Sequence, residues 1–158
     1  MDVGVATLLG AIAGGLVGFI TAKMQFQQKS DELLLIALEH LGGGSQERNV
    51  GISAIELYWN NSRHKDVCLS LLIGSAIYLL RDSKQDDKDI ELYNLERIMT
   101  FISDQEYLNK SLVMDYKYLL DAVEQAKNPK SEKSLKVKPE DQSKWQKSLA
   151  GIIAKSPK

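Results

Sequence analysis

The chain has 158 residues and a formal net charge of −1, enough for one modest domain, and its single cysteine, Cys68, excludes an internal disulfide. The charge is uneven: residues 127–158 hold nine lysines and three acidic residues, a net charge of +6, which leaves −7 for the preceding residues. An acidic body argues against nucleic acid as its partner, whereas the basic tail suits anionic lipid or an acidic protein face.

The first predicted element is a transmembrane helix over residues 3–22, twenty residues without a charged side chain. At ~1.5 Å per residue this helix would span roughly 30 Å, the thickness of the hydrocarbon core of a bilayer. Small residues recur at every fourth position, which places them on one helix face where a second helix can approach closely. These predicted association residues are Ala6, Gly10, Gly14, Gly18 and Ala22. We therefore expect the chain to associate with itself through this helix.

A buried core helix and a cleaved signal peptide are the two alternatives to a membrane anchor. Glycines in a soluble helix would weaken it by roughly 1 kcal/mol each relative to alanine. A signal peptide would need a basic leader, which is absent before the apolar run, and Thr21-Ala22-Lys23 is a poor cleavage site. Lys23 and Lys29 follow the span and predict that this side is cytoplasmic. The expected location is the inner (cytoplasmic) membrane, crossed once, with the N-terminus outside.

Residues 31–127 are predicted to form an all-α cytoplasmic domain, because apolar residues recur at helical spacing and never alternate for long with period two. No glycine or proline occurs between Phe19 and Leu41, so the first helix can continue into the body, or a new helix can begin at Ser30. The run 67–80 is apolar on almost every side and is expected to form the centre of the core.

Two helices with a short connection between them resemble a motif of bacterial membrane proteins. In these proteins one or two N-terminal spans precede a HEAT-like helical segment, and many also carry pentapeptide repeats, which are absent here. The resemblance covers residues 31–80, about a third of the chain, and Ile55 and Leu57 depart from its pattern. The matching residues are Ala37, Glu39, Leu41, Gly42, Arg48, Gly51, Ile52, Ala54 and Glu56. The resemblance implies a helical interaction scaffold and no catalytic residues.

The same motif has a physical interpretation as a packing device. Gly51 and Ala54 would allow the second helix to cross closely over the first, because a missing or small side chain lets the backbones approach. Arg48 stands at the start of the second helix and is predicted to form a structural ion pair with Glu39 or with Glu56.

No set of residues indicates catalysis or a metal site. His40 and His64 are interpreted as solvated loop residues, and no spacing typical of zinc ligands is present. Ser70 lacks the tight turn that surrounds a catalytic nucleophile. The acidic cluster between residues 82 and 91, which includes Glu91, lacks the spacing of a calcium loop and is interpreted as a solvated loop. We therefore expect no enzyme activity, no metal and no cofactor.

The basic tail is predicted to contain a linker over residues 128–138 and an amphipathic helix over residues 139–155. Pro139 suits the first helical position. The apolar stripe and its flanking lysines are the expected membrane-surface or partner-binding residues, namely Lys144, Trp145, Lys147, Leu149, Ile152 and Ile153. Such a helix can lie on an anionic membrane, dock back on the acidic body, or occupy a groove of a partner.

These observations favour a membrane-anchored, self-associating helical scaffold or adaptor that binds protein partners at the cytoplasmic face. The expected partners are the chain itself, the lipid bilayer and a further protein. The alternative is a membrane-perturbing effector of a bacterial defence or toxin system, assembled through the glycine zipper.

Overall fold

The computed structural model describes residues 24–25, 28–29, 31–32, 34–37, 39–61, 63–81, 88–126 and 135–155. The helices within this part are α1 (Ser45–Tyr58), α2 (Lys65–Arg81), α3 (Lys88–Gln105), α4 (Val113–Gln125) and α5 (Pro139–Ala154), with 3₁₀ turns at Trp59–Asn61 and Lys110–Leu112. Residues 34–37 and 39–41 are also helical and precede α1. No strand occurs among the described residues, so the predicted all-α class is confirmed.

The predicted location requires a correction. Among the residues that the structure describes, no helix is both long and apolar enough to cross a membrane. The structure therefore gives no support to a single pass through the inner membrane. The proposed span, residues 3–22, lies outside the described residues, and so do its association residues Ala6, Gly10, Gly14, Gly18 and Ala22.

The helices form two layers in which alternate helices lie side by side. Helices α1 and α3 are neighbours, as are α3 and α5, whereas α2 and α4 form the second layer. Ser70 of α2 bonds Asp115 of α4, and further along both helices Arg81 bonds Asp121. Because the later residue of α2 contacts the later residue of α4, these two helices run parallel. The layers are joined where α2 packs on α3 and α4 packs on α5.

The centre of the core is α2, as its apolar sequence predicts. Its buried residues lie on several sides of the helix, because α3 and α4 both pack against it. They are Cys68, Leu69, Leu72, Ile73, Ala76, Leu79 and Leu80. Helix α3 instead buries a single stripe at helical spacing, Leu95, Ile98, Met99 and Ile102, and leaves its opposite face toward solvent.

The chain reverses between α3 and α4 at Glu106, which has a left-handed backbone with φ of 43°. Its backbone N–H donates to the carbonyl oxygen of Ile102, which ends the helix one turn after its last buried residue. The Tyr107 hydroxyl then donates to Asp66 at 2.7 Å and ties this turn to the start of α2. Helix α4 begins at Val113, directly after the 3₁₀ turn Lys110–Leu112.

Gly51 lies where the helical segment that ends at residue 41 crosses α1. A Cβ atom at this position would lie 2.9 Å from the backbone nitrogen of Leu41 and 3.0 Å from the carbonyl oxygen of Ala37. Both Ala37 and Leu41 are buried. The predicted close crossing at Gly51 is therefore confirmed.

Candidate partner-binding groove

An open groove runs between α1 and α3 on the outer side of their layer. One part has a volume of about 560 Å³ and is lined by Gln46, Asn49, Val50, Ser53, Asp89, Ile90 and Tyr93. A second part of about 350 Å³ is lined by Glu56, Tyr93, Glu96, Arg97, Thr100, Phe101 and Asp104. Tyr93 belongs to both parts, so they form one continuous surface, which we call the α1–α3 groove.

Helix α3 supplies one wall of this groove because five of its residues share a face. Positions 89, 93, 96, 100 and 104 follow one another by three or four residues, the spacing that keeps side chains on one side of a helix. Three of the five are acidic, one is Tyr93 and one is Thr100. The groove therefore combines carboxylates with an aromatic ring.

Apolar side chains lie on the outside of this helix pair. Val50 is 51% exposed and Tyr93 is 54% exposed. Leu57, two turns after Val50 on α1, is 75% exposed. Isolated exposed apolar side chains are common in proteins, but several of them at an open groove are a feature of interaction sites.

At the start of the same helix pair, the buried side chains are polar. Arg48 of α1 is 5% exposed and forms an ion pair with Glu91 of α3, which is 7% exposed. Arg48 also donates to the carbonyl oxygen of Gly43 at 3.0 Å. Asn94, fully buried, donates to the carbonyl oxygen of Ser45 at 2.9 Å. The start of α1 is thus held to α3 mainly by hydrogen bonds and charge.

The partner of Arg48 differs from both predicted partners. Glu39 is exposed and carries no such contact. Glu56 instead forms an ion pair with Arg97 of α3, whose Nε donates to Glu56 at 2.9 Å. Glu91 was missed because it is 43 residues away in the chain and was assigned to a solvated acidic loop. In the structure Glu91 lies in the first turn of α3.

The next groove of the layer, between α3 and α5, has the opposite charge. It has a volume of about 330 Å³ and is lined by Glu106, Lys144, Lys147, Ser148, Gly151, Ile152 and Lys155. Lys155 forms an ion pair with Glu106, and the Ser148 and Ser103 hydroxyls are 2.9 Å apart. We call this surface the α3–α5 groove.

The apolar stripe of α5 is part of the core. Trp145, Leu149 and Ile152 are buried and Ile153 is half-buried, since α5 packs on α4 and α3. Of the three alternatives for this helix, the structure shows docking on the body. The stripe is therefore covered by the body, and of the six residues predicted for membrane or partner binding only Lys144 and Lys147 are exposed.

A hydrogen-bonded cluster fixes the turn between α3 and α4. Asp66 accepts hydrogen bonds from Tyr107 and, at 2.7 Å, from Asn109. Tyr116 donates to the carbonyl oxygen of Tyr107 at 2.6 Å. Burial raises the pKa of the Tyr116 phenol, and the bond to the Asp66 carboxylate raises the pKa of Tyr107. One shift follows from burial and the other from a structural hydrogen bond, and neither tyrosine lines the α1–α3 groove.

The described residues contain no group of three or more His, Cys, Asp or Glu side chains arranged to hold a metal ion. Ser70 donates to Asp115 at 2.7 Å rather than to a histidine. His64 lies 3.7 Å from Asp31. Ser70 and His64, which were considered as candidate functional residues in the sequence, therefore make contacts within the fold.

No protein-family model matches this sequence, and comparison with curated proteins and with solved structures finds no significant similarity. The resemblance of residues 31–80 to a HEAT-like segment therefore stays a prediction.

Proposed function

We propose that this chain is a non-catalytic helical adaptor that binds a protein partner through the α1–α3 groove. The observation that carries this proposal is the exposure of Val50 and Tyr93, which line the groove, and of Leu57, which lies further along α1. Because these apolar side chains are outside the core, a partner that covers them gains free energy without disturbing the fold.

Tyr93 is the central residue of the proposed surface. It lies where the two parts of the α1–α3 groove meet. Tyrosine is enriched among the residues that dominate binding free energy, since its ring offers a large rigid area and its hydroxyl can hydrogen-bond. The groove around it is rigid, because Arg97 bonds both Glu56 and Asn49 of α1.

The arrangement of the helices supports a scaffold of stacked helical hairpins, as the HEAT-like resemblance implies. In an α-solenoid, equivalent helices of successive hairpins lie side by side and create an extended binding surface. The parallel neighbours α1 and α3, and α2 and α4, have this relation. The α1–α3 groove would then be the surface between equivalent helices of two hairpins.

Site-specific photocrosslinking tests this proposal in cells that make the full chain. The photoreactive residue p-benzoylphenylalanine replaces Tyr93, and in a matched control it replaces Tyr118 of α4, which is 55% exposed against 54% for Tyr93. We expect a discrete adduct with a second protein from position 93 and none from position 118. The same adducts from both positions, or none from position 93, would contradict the proposal.

The membrane-perturbing effector depends entirely on residues 3–22, which lie outside the described residues. No contact or surface among the described residues favours it. Self-association through Ala6, Gly10, Gly14, Gly18 and Ala22 likewise stays a prediction.

A further inference from the structure

We infer that the occupant of the α1–α3 groove is a basic amphipathic helix of another protein, with cationic side chains about two helical turns apart. This inference rests on the proposed function and names the chemical class of the partner. It follows from the charge of the groove, the spacing of its carboxylates and the apolar side chains between them.

The charge of the groove is strongly negative. Its two parts contain the carboxylates of Asp89, Glu56, Glu96 and Asp104 and the single guanidinium of Arg97. Arg97 is already bound by Glu56 and Asn49. Among the described residues, no cation forms an ion pair with the other three carboxylates. A partner with cations would therefore meet carboxylates that are free to bind it.

The spacing of these three carboxylates suits a helix. Asp89 and Glu96 are seven residues apart on α3, and Glu96 and Asp104 are eight residues apart. At ~1.5 Å per residue the separations are roughly 10 and 12 Å. A helix laid along α3 has the same rise, so cations seven and eight residues apart would lie on one face opposite the three carboxylates.

The apolar side chains specify the rest of the partner. Val50 and Ile90 lie in the part of the groove that contains Asp89, and Tyr93 lies before Glu96. A polybasic chain without apolar residues would satisfy the charges and leave these side chains exposed. An amphipathic helix buries them between its lysines or arginines, which resembles the way other helices bind in grooves.

Three other occupants fit less well. Nucleic acid and acidic proteins would be repelled by the carboxylates. A second copy of this chain would present Lys147 and Lys155 of α5 at a suitable spacing, but the apolar stripe of that helix is buried in its own core. A second copy therefore offers charge without the apolar groups that the groove requires.

The positive charge of the α3–α5 groove restricts where a basic helix can bind on this protein. Lys144 and Lys147 line the groove on the other side of α3 and repel a basic helix. Of these two grooves, the α1–α3 groove is the one that suits such a partner, and the positions of Asp89, Glu96 and Asp104 restrict the orientation of the bound helix. The acidic body found in the sequence thus contributes the α1–α3 groove, and the basic tail contributes the lysines of the adjacent α3–α5 groove.

Synthetic peptides test the inference with the purified full-length chain. The probe is a fluorescein-labelled helix of about twenty leucine and alanine residues with lysines spaced by seven and eight residues. One control peptide has glutamate at the lysine positions, and a second has the same composition with lysines spaced by five residues, off a common face. By fluorescence anisotropy at low salt we expect the probe to bind at least about ten-fold more tightly than either control.

Matched variants locate the bound probe. Glu96→Lys and Glu124→Lys change the charge equally, but Glu96 lines the α1–α3 groove and Glu124 is an exposed residue of α4. We expect Glu96→Lys to weaken binding by about ten-fold and Glu124→Lys to leave it within about two-fold. Tyr93→Ala should weaken binding to a similar extent at high salt, where only the apolar contribution persists.

Several results would overturn the inference. These are equal binding of the glutamate peptide, equal loss with Glu124→Lys, or no binding of the probe. A dimer of the chain that Glu96→Lys dissociates would also overturn it, since the occupant would then be a second copy. If photocrosslinking at Tyr93 succeeds while the probe fails, the adaptor function stands and only the partner class is wrong.

Discussion

The two grooves that share α3 differ in charge and in the side chains that they leave exposed. At the α1–α3 groove Arg48 and Glu91 are buried as an ion pair, whereas Val50 and Tyr93 are half-exposed beside carboxylates. At the α3–α5 groove the apolar stripe of α5 is buried and lysines are exposed. Apolar side chains of α5 therefore stabilise the fold by burial, whereas those at the α1–α3 groove stay partly in contact with solvent.

The largest expected effect is on the polar interior of the α1–α3 pair. Arg48→Met should lower the free energy of unfolding by about 3–5 kcal/mol, because Glu91 would stay buried without its cation. Urea denaturation followed by circular dichroism measures this change. In Arg48→Met/Glu91→Leu no charge is left unpaired, so most of the stability should return. A loss below about 1 kcal/mol in the single variant would mean that the pair is effectively solvated.

The second test addresses the apolar interior beside α5. Leu149→Ala should lower the free energy of unfolding by about 2–5 kcal/mol, because a fully buried side chain leaves a cavity. Tyr93→Ala removes a larger but half-exposed side chain from the neighbouring groove and should change stability by no more than about 0.5 kcal/mol. Thermal denaturation measures the stability of both variants. Similar losses of stability in Leu149→Ala and Tyr93→Ala would mean that the two side chains are equally important for the fold and that the grooves do not differ as described.

The third test concerns the crossing that positions α1. Gly51→Ala should lower stability by about 1–3 kcal/mol, since its Cβ would press on the backbone of residues 37–41. Gly74→Ala is the matched control, because a Cβ at that helical position meets no atom within 4 Å. Alanine there should raise stability by up to about 1 kcal/mol through its better helix propensity. Urea midpoints that shift in the same direction for both variants would contradict the close crossing.

The smallest expected effect is a pH dependence of stability that arises from Tyr116, in the layer formed by α2 and α4. Because burial raises the pKa of Tyr116 above the ordinary value of 10.0, the unfolded chain loses this proton first as the pH rises. Stability should be fully present below about pH 10 and then fall by up to about 1.4 kcal/mol per pH unit. Urea midpoints measured between about pH 8 and pH 11 should decline less steeply in Tyr116→Phe than in the unsubstituted chain. Parallel declines would show that Tyr116 is not the responsible group.

Local patterns in the sequence predicted much of the fold. The apolar run of α2 identified the centre of the core, and Pro139 with the acidic residues after it marked the start of α5. Gly51 was recognised as a crossing point because only glycine allows backbones to approach so closely. These features depend on residues near one another in the chain, so helical periodicity is enough to find them.

The candidate site was less accessible to such patterns. The stripe of Asp89, Tyr93, Glu96 and Asp104 has a helical spacing that the sequence contains, but its significance depends on α1 lying beside it. Glu91, two residues from Asp89, is instead buried against Arg48. The rotation of α3 about its axis decides which carboxylates of this acidic segment face the core and which face a groove. That rotation is determined by the neighbouring helices.

Local sequence patterns were enough to predict the helical class, the central position of α2, the close crossing at Gly51 and the amphipathic character of α5. The packing of the helices was needed to show that the stripe of α5 docks on the body, that Arg48 pairs with Glu91, and that α1 and α3 form an acidic groove. An amphipathic face or a charged residue requires a complementary partner, but its own sequence does not specify which one. That choice is made by long-range packing, which joins residues more than forty positions apart, as Arg48 and Glu91 show.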